Sequence, residues 1–294
     1  MNDIDRDLLE DDMPVSRRPR IFRDRSDPFD VLTDEEFRLR YRFTRNGFFT
    51  LLDTIQDSIQ SSDRSNALTS AQRLALTLQS LASNSFQLIV GDQAGCSQPT
   101  VSRTIKNVCA AICEKIDYFI SFPEGVDAIE NQKKFKALTN IPGIVGAIDG
   151  THIRIPAPRV DEHIFVNRKS FHSLNVGLAC DYDLKFIWLS CRYGGSAHDS
   201  RVFRESSLHE SLQSGRLKGV LLGDSAYRAE RFFYKPILNP ANEAERKYTD
   251  AVCRGRVKIE NAIGCLKRQF HSLHAELRCR RHHRRCCFEL RYRR

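Results

Sequence analysis

The chain has little that would carry it into a membrane and little that would staple it. Among its 294 residues no apolar run approaches the roughly 18 needed to span a bilayer. The opening MNDIDRDLLEDD is acidic and polar, so it reads as neither a signal peptide nor a transit peptide. Ten cysteines are scattered at 96, 109, 113, 180, 191, 253, 265, 279, 286 and 287, with no C-x-x-C pair, and their spacing forms no disulfide framework. A reducing compartment, nucleus or cytoplasm, is the expectation. No internal repeat is visible, and strand signals are few before residue 120.

Excess positive charge is also scarcer than the totals suggest. Lys and Arg number 46 against 37 Asp and Glu, a formal +9. Residues 278–294 hold eight arginines and one glutamate, which leaves only +2 for the other 277 residues. A basic pI usually points to nucleic acid. Here a short tail supplies most of it, so local patches must carry that inference. The 41% hydrophobic and 28% charged content is that of a globular protein, and the length fits about two domains.

Residues 1–30 read as a charged arm without helical or strand periodicity. Six acids in the first twelve residues precede SRRPRIFRDR. Arg17, Arg18 and Arg20 fit either a solvated tail or a nuclear-import signal. From Thr33 the pattern turns helical. Thr33 with Glu36 predicts a capping box, and Phe48, Leu51, Leu52 and Ile55 recur at helical spacing. A second helix is expected from Thr69, with Leu74, Leu78 and Leu81 on one face. Past Pro123 short β-rich runs alternate with turns, placing a boundary near 123–140 with a connecting helix at Phe135–Leu138. The expected division is a helical domain over 31–123, an α/β domain over 124–277, and an atypical tail over 278–294.

FQLIVGDQAGCSQPTVSRTIKNVCAAI, residues 86–112, predicts a helix-turn-helix. Leu88–Ala94 leads to Gly95, suited to a left-handed helix end. Ser97 is the expected N-cap, bonding an orphan amide, and Pro99 fits the first turn. Val101, Ile105, Val108 and Ile112 form an apolar stripe. Gln98, Thr100, Arg103, Lys106 and Asn107 face the other way, and such side chains can bond base edges and phosphates. An ordinary helical hairpin with a solvated face fits the pattern equally well.

In the second half, GIVGAID (143–149) and GVLLGD (219–224) are apolar runs that each stop at an aspartate. SLNVGLAC (173–180) and KFIWLSCRY (185–193) are further strand candidates, joined by the turn DYDL, and HIRI (152–155) continues the first strand across a turn. Together they predict a mixed sheet with Asp149 and Asp224 ending neighbouring strands. In GGSAHDSRVF (194–203), Asp199 falls in a first helical turn, where helix-end stabilisation and metal binding are equally good readings. A helix over roughly 250–274 carries Ile259, Ile263, Leu266 and Phe270 inward. Glu260 lies at the stripe's edge, with Arg256 and Lys267 on its face, an arrangement that alone would be a surface ion pair. Gathered together, Asp149, Asp199, Asp224 and Glu260 are hard oxygen donors suited to Mg²⁺ or Mn²⁺ and to in-line attack on phosphorus.

Five stretches in register resemble the PIF/Harbinger transposases and the nucleases derived from them: GAIDGTHIRI (146–155), FVNRKSFHSLN (165–175), GGSAHDSRVF (194–203), LLGDSAY (221–227) and the Glu260 helix. The resemblance covers roughly residues 30–277. It implies an α/β RNase H-like mixed sheet flanked by helices, with an N-terminal all-helical helix-turn-helix domain. Asp149, Asp224 and Glu260 would be the acidic triad of a DDE endonuclease, and Asp199 a fourth acid at or beside Mg²⁺ or Mn²⁺. Arg168, Lys169 and His172 match a family block, where Arg168 and Lys169 serve either phosphate contact or surface charge. DNA, a separate Myb/SANT-like DNA-binding protein and a homo-oligomer are the partners this implies, in the nucleus and without a membrane. Relatives continue past 278 with a Pro-containing turn and an apolar helix. CRRHHRRCCFELRYRR instead has the composition of an out-of-frame or mis-spliced end, or else of a zinc cluster of Cys279, His282, His283, Cys286 and Cys287. Three functions stay open: a metal-dependent DNA endonuclease capable of strand transfer, an inactive DNA-binding protein on the same fold, and a scaffold that reaches DNA only through a partner.

Overall fold

A computed structural model describes residues 28–60 and 67–277. The segment with Arg17, Arg18 and Arg20 and the tail with Cys279, His282, His283, Cys286 and Cys287 lie outside those residues. Among the described residues no helix is long and apolar enough to cross a membrane.

The first half is helical: α1 (Pro28–Val31), α2 (Asp34–Tyr41), α3 (Arg45–Ile55), α4 (Ser70–Ser83), α5 (Gln87–Gln93), α6 (Gln98–Glu114), α7 (Ile116–Phe119) and α8 (Gly125–Thr139). Local capping sets the early boundaries. Thr33 and Glu36 form a reciprocal box before α2, and Thr69 and Gln72 do the same before α4. Arg42 and Asn84 then close α2 and α4 in left-handed conformation. Helix α4 is the hub, because its apolar residues leave it in two directions. Leu74 and Leu78 join Phe37, Phe48, Ile55 and Val108 in one cluster, while Leu76 joins Val90 and Val101 in another. The connecting helix α8 is fifteen residues long. Its apolar positions are too sparse for periodicity to reveal more than the Phe135 end.

The second half is a five-stranded mixed sheet: β1 (Ile144–Arg154), β2 (Ser173–Cys180), β3 (Phe186–Gly194), β4 (Val220–Leu222) and β5 (Phe233–Tyr234), in the order β3-β2-β1-β4-β5. β1, β2 and β3 pair antiparallel, whereas β4 lies parallel to β1 and β5 parallel to β4. One face packs on α8 and α12 (Glu243–Gln269) through Phe135, Ala147, Leu178, Leu222 and Ile259. The other packs on α10 (Asp199–Arg204) and α11 (Ser207–Gln213) through Val145, Ile148, Trp188, Phe203 and Phe233. A single turn of helix, α9 (Glu162–Phe165), precedes β2.

Three differences from the sequence reading have local causes. β1 runs unbroken through the first three residues of HIRI, because β2 pairs with it from Ala147 to Arg154 and supplies the ladder that the Asp-Gly pair would otherwise interrupt. Asp149 is therefore mid-strand rather than at a strand end. The final helix starts earlier and ends earlier than expected, with Asn242 accepting the Glu245 amide as its N-cap. Ser97 caps no amide; its hydroxyl bonds that of Thr100 at 2.9 Å.

Candidate active site

The position of the acids follows from the strand pairings and the two-residue period of a strand. The last β1–β4 partners are Ala147 and Leu222, so beyond them β1 loses its parallel neighbour and both chains open into a cleft. Asp149 and Asp224 each stand two residues past that pair. Asp149 shares a face with Ala147 and looks toward α12, while Gly150 looks toward α10. Glycine leaves room there, because a Cβ on Gly150 would overlap the Asp199 carboxylate and displace it. Asp199 thus fills the missing side chain of Gly150 and reaches the strand from the face opposite Asp149.

Asp199 is aimed by Asn175, which the sequence reading passed over. Asn175 is 1% exposed on β2, opposite His152. Its amide donates to Asp199 Oδ1 at 2.6 Å and to the Ala197 carbonyl at 2.8 Å, and its own Oδ1 is buried without a partner. Its one visible sign in the sequence is a lone amide inside the apolar run SLNVGLAC.

The electrostatics record the crowding. Burial pushes the Asp149 carboxyl up to about 6; Asp224 and Asp199 push the same way, against the Gly150 amide and Arg256. Tyr227, buried under the cleft, is raised well above a normal phenol by burial and by Asp199, Asp149 and Asp224. Three aspartates therefore act on one small volume. The Gly150 amide donates to Asp149 Oδ1 at 2.8 Å, and the Ala226 amide to Asp224 Oδ1 at 2.9 Å, so both carboxylates are turned by their own backbone.

Glu260 reaches this volume from α12 through Arg256. One guanidinium nitrogen lies 3.8 Å from Asp149 Oδ2 and 3.5 Å from Glu260 Oε1. Arg256 is largely buried, whereas Glu260 is about half exposed and free to swing on its long stem. Among the described residues, no three carboxylate, imidazole or thiol groups stand in ligating geometry with the side chains as they lie. The donor set still fits a hard divalent cation. Its ligands are oxygens, and burying several carboxylates together is a penalty that a cation relieves. The structure thus brings Asp149, Asp199 and Asp224 together directly, and Glu260 through a bridging arginine.

A basic flank borders the acids. Arg168 bonds the ring of His198, the residue that opens α10 before Asp199. The Lys169 amide donates to Asn167 Oδ1 at 2.8 Å in a turn that puts both cations on the His152 side. Burial holds the His152 imidazole below its usual range. Lys267, also lowered by burial, donates to the His152 carbonyl at 3.2 Å. His172 pairs with Glu162 at 2.7 Å and takes no part in the acid site.

The helical pair α5–α6 has the anticipated turn, with Gly95 at φ +59°. A Cβ on Gly91 would strike the Cys96 carbonyl, so the two helices meet at closest approach. Arg103, Lys106 and Asn107 are exposed on α6. Gln98 is half-buried and donates to Gln87 at 2.9 Å, and Thr100 bonds Ser97, so these two are engaged within the turn.

Residues 148–288 match the family model described as DDE superfamily endonuclease. A Rattus norvegicus protein named "Putative nuclease HARBI1" is 33% identical over 247 residues, covering 83% of this chain and 71% of that one. The Homo sapiens protein of the same name is 32% identical over the same extent. The Arabidopsis thaliana "Protein ALP1-like" is 24% identical over 212 residues, 65% of this chain and 52% of its own. No solved structure matches the chain significantly.

Proposed function

The chain belongs to the Harbinger transposase-derived nucleases of the DDE endonuclease superfamily, and on that footing we propose that it is a divalent-metal-dependent DNA endonuclease with an RNase H-like catalytic core. The observation that carries the reading is the convergence on one cleft of Asp149, Asp199 and Asp224, from β1, α10 and the loop after β4, with Glu260 one arginine away. Three like charges sharing one half-buried cleft repel one another, and a bound cation would relieve that repulsion.

Asp149 and Asp224 would hold Mg²⁺ or Mn²⁺ from the two strands, Asp199 would support them from the opposite face, and Glu260 would close the shell. Bound there, the metal supplies activation of a water, or of a DNA 3′-hydroxyl in strand transfer, and charge relief at the leaving oxygen. The chain's own residues supply order. The Gly150 and Ala226 amides fix which carboxylate oxygens face the cleft. Asn175 prevents Asp199 from rotating away. Tyr227 seals the floor against water while staying protonated. Arg256 holds Glu260 beside Asp149, and its guanidinium would offer positive charge to a phosphate oxygen of the substrate at the same edge of the cleft. Arg168 and Lys169 form the phosphate-facing wall, and the exposed Arg103, Lys106 and Asn107 of α6 contact duplex DNA in a helix-turn-helix mode. The helical domain and the catalytic domain divide near residues 123–140, and the working compartment is the nucleus.

Nicking of supercoiled plasmid in Mn²⁺, and its loss in EDTA and in Asp224→Asn, tests the proposal. Residual cutting equal in wild type and Asp224→Asn would overturn it. Salt-dependent DNA binding without any cutting would leave the non-catalytic reading in its place.

A further inference from the structure

A second cavity, of about 630 Å³, lies on the α10–α11 side of the sheet, away from the acids. Three arginines line it from three different segments: Arg192 on β3, Arg204 at the end of α10 and Arg228 in the loop after β4. Glutamates line it too, but each is already engaged. Glu205 accepts from the Tyr193 hydroxyl at 2.7 Å and from Arg201 at 2.8 Å. Glu230 pairs with the His209 ring at 3.1 Å, and Glu210 with Arg216 at 3.2 Å. Arg204 and Arg228 are exposed, and neither is held in a hydrogen bond or ion pair among the described residues. Each acid of this wall is thus already hydrogen-bonded or ion-paired to a neighbour, and two guanidinium groups are left to meet an anion.

The cavity is tied to the acid cleft by chain geometry. Asp199 begins α10 and Arg204 ends it, about 7.5 Å further at 1.5 Å per residue. Arg228 follows Asp224 by four positions in the loop after β4. Two segments therefore leave the same cleft as aspartates and arrive at the same cavity as arginines. One strand of duplex DNA advances roughly 3.4 Å along the helix axis per nucleotide, and because the phosphates wind around that axis, successive ones stand about twice as far apart. An arginine pair at this distance falls about one nucleotide from a phosphate held at the acids.

We propose that the Arg192–Arg204–Arg228 cavity binds a phosphodiester of the substrate strand about one nucleotide from the scissile bond. It acts as a backbone anchor separate from both the acids and α6. Arginine suits the task because its planar fork bonds phosphate oxygens in pairs. Being a contact to phosphate, it sets register and affinity and reads no sequence. The inference rests on the nuclease reading for the identity of the ligand.

The test is anisotropy of a labelled duplex oligonucleotide in EDTA, titrated at salt concentrations from roughly 50 to 200 mM. For Arg204→Ala/Arg228→Ala, the slope of log affinity against log salt should fall by about 0.9, the value for one lost phosphate contact. Affinity at the lowest salt should drop at least tenfold. Arg204→Lys/Arg228→Lys should keep most of the slope, which a purely structural role would not predict. In Mn²⁺ the alanine pair should need correspondingly more DNA for half-maximal cutting. A slope and affinity equal to wild type would overturn the anchor. So would calorimetric binding of inorganic phosphate that needs both arginines while the DNA slope stays unchanged, since that marks a small-anion site. If wild type binds with an arginine-dependent slope but never cuts, the nuclease reading falls and the anchor stands. If it cuts with an arginine-independent slope, the anchor alone falls.

Discussion

The helical unit and the sheet solve the same problem, placing polar side chains on a folded frame, at very different cost. On α6 the exposed Arg103, Lys106 and Asn107 lie three and one residues apart, and the helix period alone puts them on one face. Water keeps solvating them, so their display costs the fold almost nothing. Around β1 the chain gathers Asp149, Asp199 and Asp224 from segments 50 and 25 residues apart and partly buries them, and the Asp149 carboxyl pays with a pKa near 6. The contrast separates an exposed polar face, which local sequence can build and lose cheaply, from a cleft of acids, which the fold must hold against its own repulsion.

The comparison breaks most easily at the acids. Asp149→Asn or Asp224→Asn should cut plasmid nicking on the order of 10³-fold with the protein still folded; a loss under tenfold would show that the cleft is not where the chemistry occurs. Next come the groups that aim Asp199. Asn175→Ala and Gly150→Ala should each weaken Mn²⁺ binding roughly 10–100-fold by calorimetry, one by freeing the carboxylate and the other by displacing it. Unchanged binding in both would make Asp199 a helix-end acid.

The repulsion itself should be visible in metal-free protein. The folded Asp149 pKa of about 6 lies above the unfolded value of 3.8, so the folded state binds the proton more tightly. The penalty is therefore absent below about pH 4, grows as pH rises through 4 to 6, and is full above that. Asp149→Asn removes it and should stabilise the metal-free protein at pH 7 by about 3 kcal/mol, several degrees in melting temperature. A variant that melts lower than wild type at pH 7 and equally at pH 4 would contradict the assigned cost.

The helical unit should respond less. Thr69→Ala removes one reciprocal cap and should cost about 1 kcal/mol by urea unfolding, with Mn²⁺ affinity unaltered. Arg103→Ala should lower only the DNA salt slope, by about 0.9. A change in metal binding from either variant would mean that the two regions are coupled after all.

Which parts were legible in the sequence follows the same division. Thr33 with Glu36, Thr69, and Gly95 marked real boundaries, because a cap or a left-handed turn bonds groups three or four residues apart. The strands β2, β3 and β4 were legible as short apolar runs, and the neighbouring placement of β1 and β4 as a consequence of their order. The N-cap bond assigned to Ser97 was not realised, because Thr100 offered its hydroxyl a nearer partner. Asp149 looked like the end of a strand because GIVGAID stops being apolar there, yet it is β4 that stops while β1 continues on its β2 ladder. Asn175 and Arg256 could not be chosen as site residues, since each bonds an acid 24 or 107 positions away.

By itself the sequence determined the caps, the turn, the apolar faces of helices and strands, and the identity of the acids that could hold a cation, all set by side chains acting on backbone or water close to their own position. Only the tertiary structure decided that Asp199 fills the space above Gly150, that Asn175 aims it, and that one arginine stands between Asp149 and Glu260. Those contacts join different strands and helices, and they exist only after burial of the apolar faces has brought distant segments within a few ångströms of each other.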